Sequence, residues 1–164
     1  LNVVNGKNNS AALIGTVQDY AHIENCTVKN SSVVGHKNVG TLIGAITEYK
    51  KVSEKTVISG CIVEKTTVTS SLENEQAYVG AIVGSIGDNS TTTRAADITG
   101  CTVSGCTVSS AGYGIGGIVG YASNAENTIS SCVVENSEIT APFHKPHCIS
   151  LPMQNRSLFS KTTK

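Results

Sequence analysis

Apolar residues recur along this chain in one pattern that is written four times. Each copy places an isoleucine three residues before a cysteine and a valine two residues after it, and a phrase of two apolar residues followed by glycine comes before each copy. The cysteines are Cys26, Cys61, Cys101 and Cys132. Their spacings of 35, 40 and 31 residues are typical of solenoid, propeller and array proteins. The pattern therefore predicts a repeat architecture.

Within each repeat, the alternation predicts short strands that turn corners. Side chains two residues apart in a strand share a face, so the cysteine and its following valine lie together, as do the residues five and seven positions after the cysteine. This parity breaks twice per repeat. The breaks fall at Asn25, Gly60, Gly100 and Ser131, and at Asn30, Lys65, Gly105 and Asn136. Most are Gly or Asn, which tolerate left-handed backbone, so we predict about three strands and three corners per repeat with one face inward.

One repeat cannot bury its own face, and stacked copies build a shared core. We therefore predict an all-β parallel β-helix of about four coils of 31–40 residues, spanning 11–139. A propeller is the alternative, but it needs four antiparallel strands per blade with hairpin turns. Residues 1–10 are predicted to end a preceding repeat, with Val4 aligned to Val33. Residues 140–164 hold all three prolines and no glycine, and we expect them to cap the coil or to be poorly ordered.

Charge and composition exclude some partners. Lys plus Arg and Asp plus Glu both number 12, so the net charge is zero and no field attracts nucleic acid or an anionic membrane. No stretch approaches the roughly 20 apolar residues of a membrane span. We expect no nucleic-acid partner and no membrane insertion.

The cysteine column suggests disulfides or metal, but its spacing argues against both. Zinc ligands come in pairs two to four residues apart, and parallel side chains on adjacent strands do not point toward each other. We predict buried free thiols, with Cys106 as another small inward residue. A His144, His147 and Cys148 group in the tail lacks a fourth ligand, so we expect neither a metal nor a cofactor.

Carboxylates give no sign of catalysis. Glycosidases need a carboxylate pair, whereas Glu64 and Glu135 lie in repeats separated by the one that carries Ser104. Lys29 precedes Glu64 in the same column, which predicts a solvated cross-strand ion pair. We expect the chain not to be an enzyme.

Insertions offer the candidate binding residues. The gap from the phrase-ending glycine to the motif isoleucine runs 8, 14, 14 and 9 residues, and such loops often form the contact side of a solenoid. Stacking would place the two long loops, 49–56 and 89–96, side by side. Their amphipathic and cationic side chains are Tyr49, Lys50, Lys51, Lys55 and Arg94.

The paired phrases, Gly40-Thr41-Leu42-Ile43-Gly44 with Ile58-Ser59-Gly60-Cys61-Ile62-Val63 for example, resemble the GLUG-motif repeats. Those repeats occur in large surface and secreted proteins of gut anaerobes and in non-catalytic parts of IgA-cleaving proteases. The resemblance covers about 11–139, although the first copy has Ala11-Ala12 where Gly-Gly is usual.

The resemblance implies a right-handed β-helix, a cell-surface or extracellular location, and an adhesin-like or spacer role without catalytic residues. A host or cell-surface glycan or protein is the implied partner. The alternative is a non-catalytic fragment of a carbohydrate-active β-helix enzyme, such as a polysaccharide lyase or hydrolase.

Overall fold

The computed structural model describes residues 1–5, 7–47, 54–73, 75–87, 95–123 and 126–141. These residues form twenty β-strands and no helix, and all strand pairings among them are parallel. This confirms the all-β parallel β-helix and excludes the propeller, whose blades are antiparallel. The described residues form no helix, and so they include no helix that could cross a membrane.

The strands stack into five sheets, named A to E. Sheet A contains β1 (Asn2–Val4), β5 (Ser32–Gly35), β10 (Thr67–Ser70), β15 (Thr107–Ser110) and β20 (Glu138–Thr140). Sheet B contains β6 (Val39–Gly40), β11 (Gln76–Gly80) and β16 (Tyr113–Gly116). Sheet C contains β2 (Ile14–Gln18), β7 (Ile43–Thr47), β12 (Val83–Ile86) and β17 (Val119–Ala122). Sheet D contains β3 (His22–Glu24), β8 (Thr56–Ser59), β13 (Ala96–Thr99) and β18 (Thr128–Ser130). Sheet E contains β4 (Thr27–Lys29), β9 (Ile62–Glu64), β14 (Thr102–Ser104) and β19 (Val133–Glu135).

Each coil visits the sheets in the order B, C, D, E, A. We number the coils 1 (8–35), 2 (37–70), 3 (76–110) and 4 (113–140); in coil 1 the sheet B position is a single bridge from Ser10 to Val39. The prediction of about three strands per coil was too low, since coils 2 to 4 have five each. The isoleucine strand and the cysteine–valine strand separate at a corner, and the glycine phrase divides into a sheet B and a sheet C strand.

The eight predicted corner residues all adopt left-handed backbone, which confirms the parity breaks. Their φ angles lie between 49° and 62°. A small donor side chain follows each corner and bonds to the carbonyl two residues before it, as Thr66 Oγ1 does to Glu64 O at 3.0 Å and Cys61 Sγ to Ser59 O at 3.4 Å. The same carbonyl also accepts a backbone hydrogen bond from another coil, as Glu64 O does from Asn30 N at 3.0 Å, so the side chain adds a second, local bond to it. The corners therefore need both a left-handed residue and a small donor.

The core consists of in-register columns of β-branched residues. Val63 and Val103 pair across coils 2 and 3, as do Val68 and Val108, and all four are fully buried. Full burial of such a side chain contributes about 1.5–3 kcal/mol of transfer free energy. In coil 1, Val28 is partly buried, whereas Val33 is fully buried because β1 covers it. In coil 4, Val134 is partly buried and Ile139 is exposed.

Glycine lets the backbones of sheets B and C come into direct contact. A Cβ on Gly80 would overlap the Val83 carbonyl oxygen and lie 2.7 Å from the Gly120 nitrogen, and Gly40 stands in the same relation to Ile43 and Gly84. Both sides of β12 (Val83–Ile86) are buried. This close approach is the physical requirement behind the recurring glycine phrase.

The register of β1 corrects one alignment. Val3, not Val4, pairs with Val33, so Val4 lies on the outer face and is 73% exposed. The segment that joins β1 to Ser10 has one more residue than its counterpart in coil 2. Residues 142–164, which hold most of the predicted tail together with His144, His147 and Cys148, lie outside the described residues.

Candidate binding surfaces

The predicted binding loops connect sheet C to sheet D, and their ends lie in register. Ile46 pairs with Ile86 where the two loops begin, and Thr56 pairs with Ala96 where they end. The loop ends therefore stack one coil apart on one edge of the solenoid, which we call the C–D edge. Four of the five predicted binding residues, Tyr49, Lys50, Lys51 and Arg94, lie outside the described residues.

Lys55 is the described member of this set, and it bridges three successive coils. Its ammonium lies 3.3 Å from Asp97 Oδ1 in coil 3 and donates to the carbonyl oxygen of Glu126 in coil 4 at 2.9 Å. The side chain keeps about a third of its surface exposed, at 34%. Lys55 therefore stabilises the stacking of coils 2, 3 and 4 at the C–D edge. Its position in the sequence gave no reason to expect this contact. A contribution of Lys55 to ligand binding stays a prediction.

The cysteines form the predicted inward column and are unbridged. Cys26, Cys61, Cys101, Cys106 and Cys132 are all free thiols. Cys61 and Cys101 are fully buried, whereas Cys26 and Cys132 are half-buried because they lie in the outer two coils. The prediction of four buried thiols was therefore wrong for these two.

Each of these thiols except Cys26 contacts a carbonyl of the coil before it. Cys61 Sγ lies 3.6 Å from Ile23 O, and Cys132 Sγ lies 3.7 Å from Ile98 O. Burial raises the pKa of Cys61 and of Cys106. The neighbouring Cys101 thiol lowers the pKa of Cys132 to about 7. The column is thus a chain of weak donors with one more acidic member in coil 4.

The predicted cross-strand ion pair is present on sheet E. Lys29 Nζ lies 2.7 Å from Glu64 Oε2, and Lys65 Nζ lies 3.6 Å from Glu64 Oε1. The hydrogen bond and charge of Lys29 lower the pKa of Glu64. The register places Ser104 between Glu64 and Glu135. Glu64 is therefore an ionised, solvated partner of two lysines.

A third column of left-handed corners was missed in the sequence. It lies where each coil enters sheet B and consists of Asn9, Asn38, Tyr78 and Gly114, with φ angles of 59°, 55°, 51° and 89°. The first two form a side-chain ladder, because Asn38 Nδ2 donates to Asn9 Oδ1 at 2.7 Å. The repeated Asn at this position was the available signal, and the tyrosine in coil 3 obscured it.

Tyr78 belongs to an aromatic cluster that spans coils 2 to 4. Its ring stacks on Tyr121 with centroids 4.4 Å apart and planes inclined by 17°. The Lys37 ammonium lies 5.1 Å from the centroid of the Tyr78 ring, within the range of a cation–π contact. The Tyr78 hydroxyl donates to Gln76 Oε1. We call Lys37, Gln76, Tyr78 and Tyr121 the aromatic cluster.

Among the described residues, no group of three or more His, Cys, Asp or Glu side chains could hold a metal ion. Comparison with known proteins adds no assignment. No family model matches the chain, and searches of curated proteins and of solved structures give no match. The GLUG-motif resemblance, and the location and role that it implies, therefore stay predictions.

Proposed function

We propose that this chain is a non-catalytic repeat module of a secreted or cell-surface protein. Its β-helix serves as a spacer, and the C–D edge of the β-helix serves as an adhesin-like binding surface. The observation that carries the proposal is the contact of Lys55 with both Asp97 and Glu126. The Lys55 side chain contacts the ends of the C–D loops in two further coils. Ligand-binding side chains on these loops therefore lie on one continuous surface. The partner that fits is a glycan or a protein on a host or cell surface.

The spacer role follows from how the coils stack. Each coil contacts its neighbours through in-register columns, and the rise per coil is about 4.8 Å, the spacing of adjacent strands. Repeat proteins of this kind add stability coil by coil and present extended lateral surfaces. Shape and loops, rather than a reactive group, are what such a scaffold offers a partner.

The binding role follows from the loops themselves. The gaps that hold them are 14 residues in coils 2 and 3, against 8 and 9 in coils 1 and 4. The shorter gaps close the same corner, so closure of the coil does not require the added residues. Tyrosine and arginine, which the loops carry as Tyr49 and Arg94, are enriched in protein interfaces relative to the rest of the surface.

Loop replacement tests the binding role. In one variant both loops are cut to the length in coil 1. In a second variant both loops keep their length and Lys55, but Gly and Ser replace Tyr49, Lys50, Lys51 and Arg94. Adhesion to immobilised mucin and to glycan-bearing cells is then compared with the unmodified chain. We expect both variants to fold and to lose adhesion. Unchanged adhesion of a folded, shortened variant would leave the C–D edge without a binding role.

A further inference from the structure

Two of the chain's five tyrosines, Tyr78 and Tyr113, lie along a second edge, where sheet A passes into sheet B, and Tyr121 lies on the adjacent sheet C. Tyr78 and Tyr121 form the stack of the aromatic cluster. Tyr113 immediately precedes Gly114, whose Cβ position would lie 2.6 Å from Cδ1 of Tyr78, and it is 37% exposed. Tyr78 and Tyr121 come from successive coils, and the register places Tyr113 opposite Gln76, two residues before Tyr78. Along this edge, from coil 2 to coil 4, the structure describes every residue except Asn74.

The stack depends on an exception to the corner rule. Tyr78 holds a left-handed backbone, with φ at 51°, in a column that Asn9, Asn38 and Gly114 otherwise occupy. Asn and Gly adopt this conformation readily, whereas a bulky aromatic residue there is an outlier that carries strain. Strain of this kind concentrates at binding and catalytic sites. Asparagine would adopt this corner conformation with less backbone strain than tyrosine.

Two columns exchange large and small residues to admit the rings. The sheet C column that faces the corner reads Thr16, Ala45, Ser85 and Tyr121. The large residue is on the corner in coil 3, where Tyr78 accompanies Ser85, and on the strand in coil 4, where Gly114 accompanies Tyr121. Glycine is required at 114 because any side chain would strike the Tyr78 ring. The two tyrosines thus meet only because both columns change together.

We propose that this edge is a glycan-binding platform that takes a neutral oligosaccharide on the Tyr121 and Tyr113 rings. Tyr121 is half-buried with Tyr78 behind it, so the pair presents a rigid ring surface. Aromatic rings bury the apolar C–H face of a pyranose, and their rigidity limits the entropy lost on binding. Gln76 pairs with Tyr113 in the register and brings its side-chain amide beside that residue for the sugar hydroxyls, whereas Lys37 contacts the Tyr78 ring from coil 2. The proposal rests on the adhesin-like function above, and it adds a second recognition surface to the C–D edge.

The charges of the edge favour a neutral sugar over an acidic one. Lys37 directs its ammonium at the Tyr78 ring, and the exposed carboxylates of Glu73 and Glu75 precede the cluster in the same corner. Their field opposes a carboxylated or sulfated glycan. A proline-rich peptide, which docks on aromatic grooves, is the competing ligand that the test must separate.

Titration of the full chain with lacto-N-tetraose, chitotetraose and cellotetraose tests the platform. We expect at least one tetrasaccharide to bind, and the Tyr113→Ala and Tyr121→Ala variants to bind it about tenfold more weakly, as for a hot-spot aromatic. Tyr121→Phe keeps the ring and should bind within about twofold. Tyr20→Ala is the matched control, because Tyr20 is 50% exposed on the C–D side of coil 1, and its binding should be unchanged.

Tyr78→Asn separates binding from folding. Asparagine suits the corner, and its amide can donate to Asn38 Oδ1, which is buried without a hydrogen-bond partner among the described residues. The variant should therefore melt no lower than the unmodified chain while its affinity falls about tenfold, the loss expected of a binding aromatic.

Three results would overturn the platform. These are unchanged affinity in the tyrosine variants, retention of a proline-rich peptide but of none of the sugars, and loss of sugar binding in the shortened-loop variant alone. The last result would place recognition on the C–D edge and leave the proposed function standing. Sugar binding that survives loop shortening but not Tyr121→Ala would support the platform.

Discussion

The Cys61 thiol lies 3.6 Å from the carbonyl oxygen of Ile23, one coil before it. The same thiol lies 3.4 Å from the carbonyl oxygen of Ser59 at its own corner. A single small side chain thus closes a turn and joins two coils. Cys101 and Cys132 repeat this arrangement one coil further each time. Burial raises the pKa of the Cys61 thiol, which keeps it protonated and able to donate.

The Cys61 and Cys106 thiols should lower the stability of the fold at alkaline pH. Burial raises the pKa of Cys61 and Cys106, whereas a cysteine in the unfolded chain has a pKa of about 8.5. Above that pH the unfolded state holds fewer protons than the folded state, so the free energy of unfolding decreases as pH rises toward the folded pKa. Denaturant unfolding at several values between pH 7 and pH 10 measures the decrease.

Cys106→Ser is the matched control for this effect, because Ser31 and Ser137 occupy the same column. The difference in unfolding free energy between the variant and the unmodified chain cancels the other titrating groups. We expect the variant to lose less stability between pH 7 and pH 10. Equal losses in both proteins would contradict the raised pKa of the Cys106 thiol.

The corner residue Lys65 offers a stabilising substitution. It holds a φ of 49° in a column that Asn30, Gly105 and Asn136 also occupy. Asparagine adopts this conformation more easily, so Lys65→Asn should raise the free energy of unfolding by about 1 kcal/mol. Lys65 is largely exposed and its contact with Glu64 contributes little. Lys65→Ala, which keeps the strain, should bring no such gain, and equal stability of the two variants would refute the argument.

Lys55 should stabilise the stacking of coils 2, 3 and 4. Lys55→Met keeps the aliphatic stem but removes the ion pair to Asp97 and the bond to Glu126, at a cost of about 0.5–1 kcal/mol for a partly exposed site. Lys55→Arg retains a donor and should lose less. Combining each variant with Asp97→Asn shows whether the two residues are coupled. Additive effects across that cycle would mean that the contact has no energetic weight.

The glycine phrase should tolerate no side chain at Gly80. Gly80→Ala places a Cβ against the Val83 carbonyl and the Gly120 nitrogen, and backbone cannot move aside without opening sheets B and C. We expect a loss of about 3 kcal/mol or more. Gly100→Ala is the control, since it has open space and only its φ of 62° to accommodate, and it should cost about 1 kcal/mol. Similar melting of the two variants would mean that sheets B and C are not in close contact.

Much of the fold could be predicted because each corner interrupts the alternation of inward and outward residues in the sequence. A change of parity at Asn25 or Gly60 requires a turn, and both residues adopt the left-handed backbone that such a turn needs. Lys65 and Ser131 take the same conformation although their residue types give little indication of it. Only the alignment with Gly and Asn in other coils identified them.

The rest was not predictable for a physical reason. Both alternating tracks of β12 (Val83–Ile86) are buried, so its pattern does not show where one strand ends and the next begins, and the number of strands was underestimated. The stack of Tyr78 on Tyr121 depends on which residues lie opposite each other one coil apart. That register includes loops of unequal length, and no single repeat contains the information.

The central claim is that the repeats stack in register with the valine column inside. Val103 is fully buried in coil 3, and Thr102 beside it is only partly buried on the outer side of the same strand. Val103→Asp buries an unpaired charge, which costs several kcal/mol against a total stability of about 5–15 kcal/mol, while Thr102→Asp leaves its charge in water. Thermal melting of both variants followed by circular dichroism is the direct measurement. We predict that Val103→Asp loses its cooperative transition and that Thr102→Asp melts close to the unmodified chain. A soluble Val103→Asp variant with unchanged melting would place this residue outside and contradict the stacked coil.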